Sequence, residues 1–282
     1  MFKSFLLTFM TGATILVAAC SNAPKFTDSI TADKPLLATG KNIAVQVMSY
    51  NIHHCNPPSR PDSIDIEAIA NAIRAQNPDL VALQEVDVNT ERSGKFNQAE
   101  ELAMKLNMHY FFGKAIDHQG GDYGVAILSK YPLSETMVNR LPTQPETKGE
   151  PRVLATAKVK LPDGTFIRFG STHMDAQRAP VNRQLQIKEI GRIAAAELLP
   201  FIIADDFNAS AETEVIAVLD KHFTRTCQRC EPTIPVNNPN KAIDFIAYKH
   251  AAGKFSVASH KVVNEKYASD HLPVVAAITI KP

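Results

Sequence analysis

The sequence contains no tryptophan, only four cysteines and almost no net charge, and each shortage narrows what it can encode. Lys and Arg number 30 against 29 acidic residues, a formal charge of +1. A chain this close to neutral lacks the broad positive field of a strong polynucleotide binder. No evident run interleaves basic residues with aromatics, which makes a processive nuclease less attractive as well. The cysteines are Cys20, Cys55, Cys227 and Cys230. A structural zinc site wants four ligands, and one Cys-x-x-Cys without a second pair is poor support for it. Cys227 and Cys230 suit a local disulfide and two free thiols alike. No second linker, low-complexity tract or internal repeat interrupts residues 42–282, a length normal for one layered α/β enzyme domain.

What is present begins with an address. Lys3 precedes an apolar run from Phe5 to Ala19 that is short for a membrane span and ends in Leu16-Val17-Ala18-Ala19-Cys20. One positive charge, a short apolar core and small residues before a break describe a secretory signal peptide over residues 1–19. The Cys directly after them resembles the lipobox of bacterial lipoproteins, where that Cys is lipidated and becomes the mature N-terminus. Ser21 rather than Asp at the next position points, by the usual sorting pattern, to the outer membrane. Residues 20–41 scatter Asn, Pro, Asp, Thr and Gly and read as a tether. The expectation is a domain over residues 42–282, lipid-anchored in the cell envelope and working outside the cytosol. Removing residues 1–19, whose one charge is Lys3, brings the formal charge to zero.

Ile43 to Tyr50 is strand-like and ends in Asn51-Ile52-His53-His54. Ser63 opens a helix with Ile66, Ile69, Ala70 and Ile73 at helical spacing, and Asn77-Pro78 closes it. Leu80-Val81-Ala82-Leu83 is a buried strand with Gln84-Glu85 at its carboxyl end. A right-handed β-α-β crossover makes these strands parallel and brings Asn51 and Glu85 to one edge. A second helix carries Ala99, Leu102, Ala103 and Leu106. Gly120 to Gly124 reads as a flexible loop feeding the strand Val125 to Ser129. Glu150-Pro151-Arg152 precedes another strand, which Asp163-Gly164 turns back as a hairpin ending in Thr172-His173-Met174-Asp175. A long helix through Leu185, Ile190 and Ile193 follows.

The chain is organised around Phe201-Ile202-Ile203-Ala204-Asp205-Asp206-Phe207-Asn208-Ala209-Ser210. A short apolar strand stops abruptly there at two carboxylates and, two residues past Asp206, an amide. Ligands of open α/β sheets gather outside strand carboxyl ends, and paired oxygens there suit a hard cation or an activated water. Alone, the stretch fits equally a polar turn capping a helix, with Asn208 or Ser210 as N-cap before Glu212. The rest of the chain decides. Asn51, Glu85, His173, Asp206, Asn208, Asp244, Asp270 and His271 all fall in strands or at their ends. A lone His is more often structural than catalytic, and an Asp after Ser is most often a turn. Carboxylate, amide and imidazole at so many strand ends are improbable for a pure scaffold.

The ordered set Ser49-Tyr50-Asn51-Ile52, Leu83-Gln84-Glu85, Tyr123-Gly124, Arg152, Thr172-His173, Asp206-Phe207-Asn208, Ile243-Asp244-Phe245-Ile246 and Ser269-Asp270-His271 resembles the endonuclease/exonuclease/phosphatase superfamily. These deoxyribonuclease-like enzymes are metal-dependent phosphoesterases. Each piece is weak alone, but they come in the family's order from Ile43 to the C-terminus. The branch most similar is that of secreted bacterial members, akin to the domain implicated in remodelling glycosylphosphatidylinositol anchors. The resemblance implies an α/β four-layer sandwich, with two mixed β-sheets face to face, helices outside and the site at one edge.

It also implies roles. Glu85 is the main carboxylate ligand of Mg²⁺ (or Mn²⁺), Asn51 a neutral donor beside it, and Asp270 a ligand of a second or transient metal. Asp206 orients or deprotonates the attacking water and Asn208 hydrogen-bonds the phosphate. Asp244 fixes the ring of His271, whose cationic form stabilises charge on phosphorus. His173 acts likewise from the other side or protonates the leaving oxygen, and Tyr123 and Arg152 contact the phosphate. Such a displacement needs chiefly positioning and charge neutralisation. One position departs from the pattern: the family usually has Gly where this chain has Asp205, whose side chain either alternates away from Asp206 or adds charge near the metal. The expected activity is hydrolysis of a phosphodiester or phosphomonoester, lipid- or sugar-linked, by a monomer. The alternatives are an endonuclease on DNA or RNA, which the charge balance disfavours, and an inactive ligand-binding surface lipoprotein.

Overall fold

The computed structural model describes Met1, residues 42–249 and residues 254–281. Apart from Met1, the expected signal peptide, Cys20 and the tether lie outside the described residues. From the first described strand the chain runs β1 (Ile43–Asn51), α1 (Ile66–Gln76), β2 (Leu80–Val88), α2 (Gln98–Leu106), β3 (His109–His118), β4 (Gly121–Ser129), β5 (Leu133–Arg140) and β6 (Val153–Lys160). It continues through β7 (Phe166–His173), α3 (Val181–Ala196), β8 (Phe201–Asp206), α4 (Glu214–His222), β9 (Thr224–Arg225), β10 (Asp244–Lys249), β11 (Phe255–Val262) and β12 (Val274–Ile280). The strands form two six-stranded sheets, ordered β11-β12-β1-β2-β4-β3 and β5-β6-β7-β8-β10-β9.

Alternation along the strands builds the layers. Val45 and Val47 of β1 and Leu80 and Ala82 of β2 face the other sheet, where they meet Phe169 of β7, Ile202 and Ala204 of β8 and Ile246 of β10. The alternate residues Met48, Tyr50, Val81 and Leu83 pack under Ile69 and Ile73 of α1 and Leu102 of α2. On the far side Phe201, Ile203 and Phe245 pack under Ile187 and Ile190 of α3 and Ile216 and Leu219 of α4. The result is the expected order of helix, sheet, sheet, helix. Fully burying each such aliphatic or aromatic side chain stabilises the fold by about 1.5–3 kcal/mol. Among the described residues no helix is long and apolar enough to cross a membrane.

Several local expectations are corrected. The first helix is capped by Asp65, whose carboxylate accepts from Ala68 N at 2.9 Å, rather than opened by Ser63. The helix after the two carboxylates is capped by Thr213, so Asn208 and Ser210 are free of that duty. Gly120 to Gly124 is not a loop: Gly121 already pairs with His118, and β3 and β4 form one hairpin. The strands β3, β5 and β11 carry no clean alternation of buried and exposed residues, which is why periodicity misses them. Cys227 and Cys230 form a disulfide, and Cys55 is a buried free thiol.

Candidate active site

The site arises where each strand's inward-facing row changes from apolar to polar. In β1 the row Val45, Val47 continues as Ser49 and Asn51, in β8 Ile202 and Ala204 lead to Asp206, and in β7 Ile167 and Phe169 lead to Ser171 and His173. β1 and β2 are parallel, as are β7 and β8, so four carboxyl ends lie at one edge. β10 runs antiparallel to β8 and β12 antiparallel to β1, which brings their beginnings, with Asp244 and the preceding His271, to that same edge. Ser171 Oγ donates to Leu83 O at 3.2 Å and Ser269 Oγ to Asn51 O at 2.7 Å, tying the edge together.

Glu85 reaches the site by a different route. Alternation would send it outward with Leu83, but the β2–β4 register slips between Leu83 and Val86, and Glu85 takes φ 58°. A β-bulge inserts one residue and re-aims a side chain, and here it turns Glu85 toward Asn51. Asn51 Nδ2 stands 3.1 Å from Glu85 Oε1 and 3.1 Å from Asp206 Oδ2, while its Oδ1 accepts from His53 N at 3.1 Å.

Asp206 is the hub. Its Oδ1 accepts the Asn208 N–H at 2.9 Å, with Asn208 held at φ 48° and its side-chain amide donating to Met174 O at 3.0 Å. Its Oδ2 faces Asn51 Nδ2, His173 Nε2 at 3.5 Å and His271 Nε2 at 3.7 Å. Arg152 Nη1 lies 3.1 Å from His173 Nδ1. A guanidinium only donates, so Nδ1 is the acceptor and the ring proton sits on Nε2, toward Asp206. Burial and the Arg152 charge together hold the His173 pKa well below its ordinary value, keeping that ring neutral. His271 is the opposite case. Burial works against its charge, but Asp244, with Oδ2 3.0 Å from Nδ1, and Asp206 push it up to about 10. Thr233 Oγ1 donates to the same Asp244 carboxylate. Burial and Asp244 raise Asp206 in turn. One ring thus carries charge and the other does not, set by which neighbour each received.

Glu85, with its side chain 22 % exposed, behaves differently from buried Asp206. Burial works to raise its pKa, but His54, the nearby His173 ring, the Asn51 amide and His53 outweigh it and hold the carboxyl below its usual range. His53 and His54 have no role in the sequence reading beyond ending a strand. They follow it at φ 45° and 42°, and with Glu85 they offer ligand atoms within 4.8 Å of one another. His53 Nδ1 lies 2.9 Å from the Asn56 carbonyl, which fixes a proton there and turns Nε2 to the open side of the ring. That second contact is the usual support of a metal-ligating imidazole. Asp206, Asp244 and His271 form a second, buried group with the spacing to hold an ion. An ionised, partly open carboxylate flanked by imidazole and amide groups fits a divalent cation.

The remaining expected residues are placed as follows. Tyr123 extends the inward row of Val125 and Ile127 in β4, is buried, and stays a phenol because burial and Glu85 push its pKa upward. Arg92 stacks on its ring at 5.5 Å. Arg152 also pairs with Glu150 at 3.2 Å. Asp270 is half-buried beside Ser269, and belongs to neither group of close ligand atoms. Asp205 takes the outward parity of Phe201 and Ile203, on the face of β8 opposite Asp206. It is fully buried, and neither carboxylate oxygen has a hydrogen-bond partner.

Comparison with known proteins agrees with this geometry. Over 253 residues the chain is 27 % identical to the Escherichia coli protein YbhP, covering 84 % of this chain and 97 % of that one. An endonuclease/exonuclease/phosphatase structure from Beutenbergia cavernae superposes with a TM-score of 0.73 at 24 % identity, covering 84 % of this chain and 72 % of that chain. The mannosyl-6-phosphatase Bt3783 of Bacteroides thetaiotaomicron superposes with a TM-score of 0.67 at 19 % identity, covering 83 % and 99 %. Residues 48–271 match the Endonuclease/Exonuclease/phosphatase family as a whole. The span runs from the inward row that ends in Asn51 to the ring of His271, so the chain belongs to that family.

Proposed function

We propose that the protein is a metal-dependent phosphoesterase that hydrolyses a phosphodiester or phosphomonoester by in-line attack of water. The observation that carries this reading is the convergence of Asn51, His173 and His271 on one oxygen of Asp206. Asn208 N–H and the Asn51 amide fix the Asp206 carboxylate, and its raised pKa brings it toward the working pH, where a general base acts best. Asp206 therefore orients the attacking water and takes its proton. The protonated His271 ring, held by Asp244, lies beside that carboxylate and offsets charge gathering on the phosphate. Neutral His173 offers its Nε2–H as a hydrogen-bond donor to the leaving oxygen, which takes its proton from water, and Arg152 and Tyr123 bind phosphate oxygens. A divalent ion, Mg²⁺ or Mn²⁺, held by Glu85 with Asn51 and flanked by His53 and His54, would neutralise phosphate charge, and Asp270 would serve a second or transient ion.

We also place the enzyme in the cell envelope, tethered to the outer membrane through acylated Cys20 and acting as a monomer on lipid- or sugar-linked phosphate esters. The support is the apolar run before Cys20 and the near-neutral charge, which argues against nucleic acid. The test is an Mg²⁺/Mn²⁺ activity panel on bis-p-nitrophenyl phosphate, p-nitrophenyl phosphate, plasmid DNA, RNA and phospholipids. Hydrolysis of small esters that chelator and Asp206→Asn both abolish is expected. Ligand binding without turnover of any ester would leave the inactive surface lipoprotein as the better reading.

A further inference from the structure

Beside the site, the segments after β7 and β8 and the first turn of α3 line a half-open cavity of about 320 Å³. Arg178, Arg183 and Lys241 line it, and no Asp or Glu does. Asn208, whose N–H holds Asp206, forms part of its wall, so the cavity borders a direct partner of the reacting carboxylate.

Arg183 is built into this wall. It is 8 % exposed, and its Nη1 donates to Asp175 O at 2.7 Å and to the Gln177 carbonyl, which fixes the guanidinium plane. Its Nε is buried with no hydrogen-bond partner. Asp175 Oδ1 is 4.0 Å from Nη1, but that carboxylate already accepts from Gln177 N and Asn182 Nδ2. Arg178 and Lys241 enter none of the ion pairs among the described residues. A guanidinium held in place by two carbonyls, with no carboxylate in hydrogen-bond contact and Nη2 without a hydrogen bond among the described residues, is a preset donor that suits a phosphate. The cationic strip continues through Lys241 into an adjoining cavity of about 390 Å³ that holds Arg229 and one acid, Glu212.

We propose that the cavity is an anion subsite for a second phosphate group of the substrate. The preferred substrates are then phosphate esters that carry a further phosphate close to the scissile one. A phosphate brings a charge of about −2 and three strong acceptors, which matches three cations better than a single carboxylate would. This deepens the phosphoesterase reading and rests on it for the placement of the scissile group. A free bisphosphate and a bisphosphorylated headgroup on a lipid share this chemistry.

The test compares kcat/KM for short alkanediol bisphosphates of increasing length with that for monophosphates of the same chain. In wild type the bisphosphate is favoured about tenfold or more at one matched length, a difference of about 1.4 kcal/mol. That ratio collapses toward unity in Arg183→Gln and in the double variant Arg178→Gln/Lys241→Gln. The double variant carries the test should Arg183→Gln fail to fold, because neither of its residues bears a fold-supporting ion pair. A second readout needs no turnover. In chelator, a propanediol bisphosphate slows amine-reactive labelling of Lys241, read by mass spectrometry, while propyl phosphate does not. The same bisphosphate carried on a diacylglycerol in vesicles tells a lipid headgroup from a free metabolite. A ratio near unity in wild type with unprotected Lys241 overturns the subsite. Lys241 protection without hydrolysis of any phosphate ester overturns the phosphoesterase reading alone.

Discussion

One amide, Asn51 Nδ2, stands 3.1 Å from both Glu85 and Asp206, yet the two carboxylates sit in opposite charge environments. Glu85 is held ionised while Asp206 is raised, so the two should fail differently. Glu85→Ala is expected to weaken Mg²⁺ binding and slow turnover together, with excess metal restoring part of the rate. His271→Ala should leave calorimetric Mg²⁺ affinity nearly intact while kcat falls by about two orders of magnitude or more, without rescue by metal. A stable His271→Ala protein with near-normal turnover would sink the mechanism. The pH profile gives a finer check. Asp244 raises the His271 pKa, so Asp244→Asn lowers it, and the ring loses its proton at a lower pH. The alkaline limb of kcat/KM should therefore shift toward neutral pH, and an unmoved limb would remove the charged ring from the reaction. Asp205 makes a stability prediction. Burial and the Asp206 charge raise its folded pKa above the unfolded value of about 3.9, so the folded chain binds more protons between the two. Stability from this group is greatest at low pH and is lost as pH rises through that window. The melting-temperature difference between Asp205→Asn and wild type should thus grow from acid to mildly alkaline pH, with turnover retained. A constant difference across pH would mean that Asp205 keeps an ordinary pKa.

At the scale of elements, the strands that position Asn51, His173 and Asp206 were legible because each shows a buried run ending in a polar group. Parity along a strand also carried Asp205 to the outer face, one of the two orientations the sequence left open. The β2 bulge was not legible. Nothing in Leu83-Gln84-Glu85-Val86 marks an inserted residue, and the left-handed φ of Glu85 is imposed by pairing with β4. The hairpin of β3 and β4 was missed for a related reason, since its glycines look like loop residues. Gly124 is glycine because a Cβ there would lie 2.1 Å from Gly113 O across the hairpin. Gly124→Ala must push two backbones apart beside Tyr123 and the bulge that aims Glu85. It should cost about 2 kcal/mol or more, lowering the melting temperature by several degrees. Activity should fall further than stability alone explains. Gly164→Ala, with open space around the new methyl and a strained φ of 88°, should cost less and leave kcat alone. Equal effects from the two substitutions would contradict the close approach. Arg183 escaped the sequence reading too: an Arg at the start of a helix looks like a solvated charge until packing buries it.

For the whole molecule, the question is what the proposed envelope location would require of a nearly neutral domain. With 29 basic and 29 acidic residues after residues 1–19, net charge gives little attraction to anionic lipids, so under the proposed tethering the anchoring energy would come from acyl chains. One acyl chain binds a membrane only marginally, and stable anchoring takes two signals, so the lipidation proposed at Cys20 must bring more than one chain. The mature protein should therefore label with fatty acid, sediment with membranes and partition into the detergent phase. Cys20→Ser should lose the label and appear in the soluble fraction. Its kcat on a soluble phosphate ester should match the anchored form, because the residues proposed for the reaction all fall within residues 51–271. Its rate on phosphate esters presented in vesicles should fall instead, since the anchor supplies only the local concentration of enzyme at the bilayer. Unchanged mass and unchanged fractionation in Cys20→Ser would refute the lipoprotein assignment. Equal losses on soluble and vesicle substrates would show that the tether also shapes the site.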